Sequence, residues 1–392
     1  MKKILIVNKS FETGGIQSSM VNMANELSRH YQVDLLIYNL KGPMRERLDE
    51  KVNVICACNR LKALCMSRKE LIASKNPSII AFGAFAIVWT KLFGNRLSIN
   101  MAINKQKKLF GYDLAIAYHQ EQRKKSVLSG FSRVVDKCVD AKVKAAWLHF
   151  DSNFVKLDDA FNNPFYEKMD KVVCVSRSLM QTFADNNPSL SEKMDYCYNF
   201  MTYDVMLEKS RMQQTIEYPK DKFVCFSACR IVNAKALDRA VKALAPIFRA
   251  HPEIVWFIAG DGPEKENVEN AIKQNGLENQ IVLIGNQNNP YPYMKNADLL
   301  MNVSYNEAAP MVYFEAKALG VPVFATETSS SRELLDDGVN SFICENSEKG
   351  LLEVFSDIAE NKEKVTAARQ NLVGFCANND DSLKKIAEII GD

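Results

Sequence analysis

The sequence has no apolar run long enough to cross a bilayer. Its longest, Ile79–Trp89, holds eleven residues, where a spanning helix needs about twenty. It has no secretory leader pattern either: "MKKILIVNKS" turns polar after a handful of apolar residues and reads as a first strand. Histidine is scarce, at four residues, and the ten cysteines show no metal-ligand spacing, so no zinc site is expected. Cys56, Cys58, Cys225 and Cys229 lie in or beside apolar runs, the pattern of buried free thiols in a reducing compartment. The G-x-G-x-x-G fingerprint is missing, which argues against a nicotinamide-dependent dehydrogenase. No internal repeat, coiled coil, low-complexity tract or nucleic-acid module is recognisable.

What is present is an ordinary globular composition, 47% hydrophobic and 25% charged over 392 residues, enough for two domains. Charge is unevenly spread. Residues 51–150 carry 18 Lys/Arg against 5 Asp/Glu, a net of +13, whereas residues 201–392 carry 20 against 28, a net of −8. Such asymmetry suggests that the first half faces something anionic.

Short apolar runs recur at strand length. The first half offers Lys3–Val7, Val33–Tyr38, Val52–Ala57, Ser78–Phe82, Leu114–Tyr118, Ala145–His149 and Lys171–Val175. The second offers Phe223–Ala228, Ile254–Ala259, Ile281–Gly285, Asp298–Val303, Val321–Thr326 and Ser341–Cys344. Most are continuously apolar, as strands buried on both faces of a parallel sheet are. Helical stripes fall between them, such as Ile16, Met20, Met23, Ala24 and Leu27, or Ala240, Leu244, Ile247 and Phe248. This alternation predicts an α/β chain of two doubly wound, Rossmann-like domains. The boundary falls in the weakly patterned 200–220 region, between residues 205 and 206, and the last helix, within 378–392, can pack back on the first domain.

Ligands of open α/β sheets bind beyond the carboxyl ends of the strands. After the first strand come Gly14 and Gly15, just before a helix, where backbone can approach a ligand closely. After Phe223–Ala228 come Arg230 and Lys235, two cations suited to a diphosphate. After Ile254–Ala259 comes the Gly260–Asp261–Gly262–Pro263 turn. After Asp298–Val303 comes "NEAAPMVYFEAKALG". Pro310 suits a first helical turn, and Gly320 with Pro322 reads as a stop, so Pro310–Leu319 is a predicted helix. Glu307 stands in the loop before it and Glu315 inside it, placed to hold two ends of one ligand.

This order resembles the donor domain of retaining, nucleotide-sugar-dependent glycosyltransferases of the GT-B fold, glycosyltransferase family 4. The matching pattern is R-x4-K, G-D-G-P, E-x7-E, a proline-containing strand and then Glu333. The first half resembles that family's acceptor domain through Gly14–Gly15, Tyr112–Tyr118, Trp147–Asp151 and Val172–Leu179. The resemblance implies an acceptor domain over 1–205 and a donor domain over 206–377, facing a central cleft. It implies that Arg230 and Lys235 neutralise the donor diphosphate and that Glu315 bonds the ribose hydroxyls. Glu307 and the backbone of Ala308, Ala309, Pro310 and Met311 would hold the transferred sugar and distal phosphate. Gly15 would approach the phosphates, and His149 would stand near the reacting sugar. Asp151 is the nearby candidate for a covalent nucleophile. The catalytic set is then His149, Glu307, Arg230 and Lys235. The donor set is Gly14, Gly15, Arg230, Lys235, Gly260, Gly262, Glu307, Ala308, Ala309, Pro310, Met311 and Glu315. No cofactor is expected beyond the nucleotide-diphosphate sugar as co-substrate. No metal is expected, since two fixed cations face the diphosphate and the sequence has no D-x-D. Two positions depart from the family: Ala308 and Ala236 stand where glycine is usual, and a methyl group there would narrow the pocket or stiffen the loop.

The basic segments Asn104–Phe110 and Glu121–Ser126, with the apolar Phe85–Phe93 nearby, suggest attachment to an anionic membrane surface. With the resemblance, they imply a cytoplasmic protein peripheral to the inner face of the cell membrane. It would act on a glycan or lipid-linked acceptor for a surface polysaccharide, a UDP-sugar being the favoured donor and nucleic acid no partner. The competing expectations are a catalytically degenerate GT-B scaffold subunit and a nucleotide-sugar epimerase.

Overall fold

The computed structural model describes residues 1–150, 157 and 159–392. The chain forms two compact units, Met1–Met201 with Asn379–Asp392, and Thr202–Asn378.

The first unit is built on a parallel seven-stranded sheet. Its strands are β1 (Lys3–Ser10), β2 (Gln32–Asn39), β3 (Asn53–Cys56), β4 (Leu109–Ala117), β5 (Val139–Leu148), β6 (Lys171–Cys174) and β7 (Met194–Tyr196). Their order is β3-β2-β1-β4-β5-β6-β7. The second unit holds β8 (Phe223–Ala228), β9 (Ile254–Ala259), β10 (Ile281–Gly285), β11 (Leu299–Asn302), β12 (Val323–Thr326) and β13 (Ser341–Cys344). Their order is β10-β9-β8-β11-β12-β13, all parallel. Both sheets therefore reverse direction once, between β1 and β4 and between β8 and β11. Those are the switch points where two neighbouring crossover helices leave on opposite faces and open a crevice.

The central strands are buried on both faces, which is why they read as continuous apolar runs: all six residues of β9 are buried. The helix Leu237–Ala250 lays Ala240, Val241, Leu244 and Phe248 on the second sheet, where they join Trp256, Ile258, Phe324 and Phe355 in one core. The helix Asp380–Ile390 belongs to the first unit, tied by Asn379 to both backbone groups of Met201.

One predicted strand is wrong. Ser78–Phe82 lies inside the helix Pro77–Phe93. Asn76 caps that helix, its side chain accepting from Ser78 N and Ile79 N at 3.1 and 3.3 Å, and Pro77 occupies the first helical position, where its missing N–H costs nothing. The Asn-Pro pair was the sequence signal; the apolar run alone did not separate strand from helix. The short edge strand β7 was not anticipated.

Candidate functional site

In the second unit the switch point puts the loop after β8 beside the loop after β11. Tyr305 N donates to Ala234 O at 2.9 Å, stitching the two. Across that seam Lys235 Nζ lies 2.5 Å from Glu307 Oε1. Ser304 Oγ stands 2.7 Å from the same oxygen and 2.8 Å from Asn302 Oδ1. Burial works against the Lys235 ammonium, but the Glu307 carboxylate and the hydrogen bond to it outweigh that, and the lysine pKa rises above its ordinary value. Arg230, on the same loop, is exposed and has no carboxylate partner among the described residues. One cation is thus fixed by an anion and one is open to solvent.

The glycines of the Gly260–Gly262 turn serve this loop. A Cβ at Gly260 would stand 1.9 Å from Cys229 O, and one at Gly262 would stand 2.1 Å from Ile231 O. Ile231 N also donates to Asp261 O at 2.9 Å. Backbone meets backbone here, so both glycines set the position of the Arg230 segment rather than leave open space of their own.

Several supporting residues were missed at the sequence level because nothing in their spacing marks them. Asn346 Nδ2 lies within 3.2 Å of the carbonyls of Ser304, Tyr305 and Glu327. Arg239 donates to Val303 O at 3.0 Å and covers the Tyr305 ring at 4.2 Å. Ser329 Oγ donates to Glu307 O at 2.8 Å. The loop 303–307 is therefore held from three directions, and Glu307 is presented by a fixed backbone.

The helix observed as Met311–Ala318 begins after Pro310, within one residue of the predicted span. Ala308 and Ala309 lie in the loop before it, and Met311 is its first residue. Glu315, half-buried on this helix, accepts from Tyr291 Oη at 3.4 Å. Burial, and then the Glu315 carboxylate, push the Tyr203 hydroxyl up to about 12.

In the first unit Gly15 opens the helix Gly15–Leu27 after Gly14. A Cβ at Gly15 would meet nothing within 4 Å, whereas one at Gly14 would stand 2.7 Å from Gln17 Oε1. His149 follows β5 and is 7% exposed. Its Nε2 lies 2.8 Å from Tyr118 O, so Nε2 carries the proton and donates to that carbonyl. Burial, then the neighbouring His119, lower its pKa to about 3. A neutral imidazole so fixed has only Nδ1 left, as an acceptor; it can orient a hydroxyl but is not an acid near neutral pH. Asp151 lies outside the described residues.

The fold is the two-domain, Rossmann-like GT-B architecture. Over the whole of both chains it superposes on the Anabaena protein Alr3699/HepE crystallised in complex with UDP and glucose, with a TM-score of 0.72 and 18% identity. Residues 208–372 match the sequence model of the family described as glycosyl transferases group 1. The N-acetyl-alpha-D-glucosaminyl L-malate synthase of Bacillus anthracis is 26% identical over 182 residues, 46% of this chain and 47% of that protein. The N-acetylgalactosamine-N,N'-diacetylbacillosaminyl-diphospho-undecaprenol 4-alpha-N-acetylgalactosaminyltransferase of Campylobacter jejuni is 25% identical over 254 residues, 64% of this chain and 66% of that protein. The chain spans about half the length, or less, of several curated relatives it matches.

Proposed function

We propose that this chain is a retaining glycosyltransferase that moves a sugar from a nucleotide-diphosphate sugar, a UDP-sugar being favoured, to a glycan acceptor. The observation that carries this reading is the Lys235–Glu307–Ser304 cluster at the β8/β11 switch point, with Arg230 exposed on the same loop. Breaking a sugar–diphosphate bond builds positive charge on the sugar and negative charge on the departing phosphate. Fixed cations aimed at that phosphate stabilise the transition state without reorganising. Glu307 serves in this reading by holding Lys235 in place and by facing the sugar. The N–H groups at the start of helix Met311–Ala318 add positive potential, and Glu315 is assigned to the ribose hydroxyls. With two cations at the phosphate and no D-x-D, the reaction is proposed to need no divalent metal. His149 is assigned an orienting role through Nδ1.

The acceptor is proposed to be a lipid-linked oligosaccharide at the cytoplasmic face of a membrane. The Campylobacter relative's name specifies a diphospho-undecaprenol acceptor, and the excess of +13 over residues 51–150 suits an anionic surface. No helix among the described residues is long and apolar enough to cross a membrane. The scaffold alternative rests on Ala308 and Ala236; the methyl group of Ala236 is fully buried and Ala308 lies half-buried in the loop before the helix, and the transfer assay below separates the two readings. The test is a thermal-shift panel of UDP, GDP, ADP and their sugars, since a ligand of the native state raises its melting temperature, followed by a transfer assay with product anomer analysis. No shift with any nucleotide would sink the reading.

A further inference from the structure

In the first unit a cavity of about 300 Å³ is lined by Phe93, Gly94, Asn95, Arg96, Lys124 and Phe161. Its walls are deliberately joined. Asn95 is fully buried; its backbone N–H donates to Lys124 O at 2.9 Å, and its side-chain amide donates to Ser126 O at 2.9 Å and Arg123 O at 3.3 Å. The loop after helix Pro77–Phe93 and the segment 123–126 are thereby fastened together, with Arg96 on one rim and Lys124 on the other. The Lys124 stem crosses Gly94, where a Cβ would stand 2.9 Å from Lys124 Cγ.

The site carries excess positive charge. Arg96 lies over the Phe161 ring at 4.9 Å, and neither it nor Lys124 has a carboxylate partner among the described residues. Arg133, buried, covers the Phe165 ring at 4.3 Å; its Nη2 donates to Asn95 Oδ1 at 3.3 Å and lies 3.6 Å from Glu121 Oε2, so it supports the Asn95 wall and its charge is balanced by Glu121. Glu121 also accepts from Gly130 N and Ser132 N at 2.7 and 3.0 Å and from Ser129 Oγ, so the excess charge at the cavity rests on Arg96 and Lys124. On the helix end and loop that line the cavity, apolar side chains are exposed among the described residues: Leu92, Phe93 and Leu97 are 66%, 63% and 42% exposed. A soluble anion has no use for that collar, whereas an amphiphile matches both parts.

We propose that this cavity receives the phosphate head group of an acidic membrane lipid, with Arg96 and Lys124 on the phosphate and Leu92, Phe93 and Leu97 against the acyl chains. The inference rests on the membrane part of the proposed function and converts it from diffuse attraction into a built site.

The test is co-sedimentation with phosphatidylcholine vesicles with and without phosphatidylglycerol. The proteins compared are the full chain, Arg96→Gln/Lys124→Gln, and Lys105→Gln/Lys107→Gln, which removes equal charge elsewhere on the same unit. The cavity variant should lose about a hundredfold or more in binding to acidic vesicles, the scale of two charge-assisted hydrogen bonds, the control about thirtyfold at most, the scale of two cations near the surface, and neutral vesicles should bind neither. If the cavity variant melts lower, Lys124→Gln alone, altering an exposed side chain, carries the comparison. Equal losses in the two double variants would reduce the interaction to diffuse charge and overturn the site. Stabilisation of the full chain by glycerol phosphate but not by acidic vesicles would make the site one for a soluble phosphate and overturn the lipid. Absence of any vesicle binding, while UDP still raises the melting temperature, would overturn both site and membrane attachment and leave the sugar-nucleotide reading standing.

Discussion

The pair Lys235–Glu307 allows a structural role to be separated from a binding role in one experiment. The two side chains are 24% and 13% exposed. Exposed pairs contribute about 0–1 kcal/mol, while removing one member of a fully buried pair costs about 3–5 kcal/mol. At this intermediate exposure Lys235→Met should cost about 1–2 kcal/mol, chiefly because the Glu307 carboxylate is left with Ser304 Oγ as its partner among the described residues. The double variant Lys235→Met/Glu307→Gln leaves no unpaired charge and should recover part of that loss, about 1 kcal/mol, in urea melts. Binding should behave differently. If Lys235 contacts the diphosphate, its loss removes a charge-assisted hydrogen bond worth about 1.5–3 kcal/mol, or ten- to a hundredfold in the Kd for UDP by calorimetry. The second mutation cannot restore that. The raised lysine pKa also fixes the pH sign: the pair's stabilisation is present below the ordinary lysine value and is lost as pH rises through the raised one. Should UDP affinity return in the double variant, or survive in Lys235→Met, the lysine only props up the loop and the diphosphate assignment is refuted.

Arg230→Ala should lower kcat at least about tenfold with little change in melting temperature, and chelator should leave the parent activity unchanged; full activity in the variant, or abolition by chelator, contradicts the proposed phosphate chemistry. Glu315→Ala should weaken UDP about ten- to a hundredfold while leaving UDP-independent stability close to the parent's; unchanged affinity removes Glu315 from the ribose. His119 and His149 are held neutral, with pKa values lowered to about 4 and about 3, burial being the first cause in each. Their contribution is present above the unfolded value of about 6.5 and is lost as pH falls toward the folded values, at up to about 1.4 kcal/mol per pH unit for each histidine. His149→Gln should flatten that slope, and identical slopes in variant and parent would show that other groups drive the acid transition. Ala236→Gly should raise stability by up to about 1 kcal/mol, read as a higher urea midpoint; a lower one would mean that the buried methyl outweighs the backbone relief.

The strand positions of the second unit were legible because strands of a parallel sheet read as near-continuous apolar runs, and β8, β9 and β10 follow those runs residue for residue. Ser78–Phe82 failed the same reasoning because a helix can be apolar nearly all round: Pro77–Phe93 carries a single charge, Lys91, and Ala81, Ala84, Val88 and Leu92 on it are exposed. Composition cannot separate the two cases; the Asn76–Pro77 cap could. In the site, the loops that carry Arg230, Lys235 and Glu307 were readable from strand ends and glycine turns, and the structure brings Lys235 and Glu307 into direct contact. Ser304, Asn346 and Arg239 were not readable, since each acts through a contact between segments distant in sequence. The Gly260–Gly262 turn was legible as a turn but not in its purpose, because only the backbone approach to Cys229 and Ile231 shows what the missing side chains make room for.

Ala236 shows how a departure noticed in sequence acquires its meaning only in three dimensions. A methyl group at this position suggested a narrowed pocket or a stiffened loop. The residue adopts φ 49° and ψ 31°, between the turn Asn233–Lys235 and the helix Leu237–Ala250, which bears on the loop rather than on the pocket. For an L-residue with a Cβ that left-handed conformation costs about 1 kcal/mol or more, and it persists only when the surroundings hold it. Here they do: Ala236 N donates to Asn233 O, Ala240 N donates to Ala236 O, and Tyr305 N grips Ala234 O. The strain therefore sits one residue from Lys235, in a backbone locked between two loops of the switch point. Glycine would satisfy the same geometry at rest but would widen the excursions of the lysine. On the proposed diphosphate reading, the strained and stiffer backbone at Ala236 serves to keep Lys235 narrowly placed, at a cost visible in its dihedral angles.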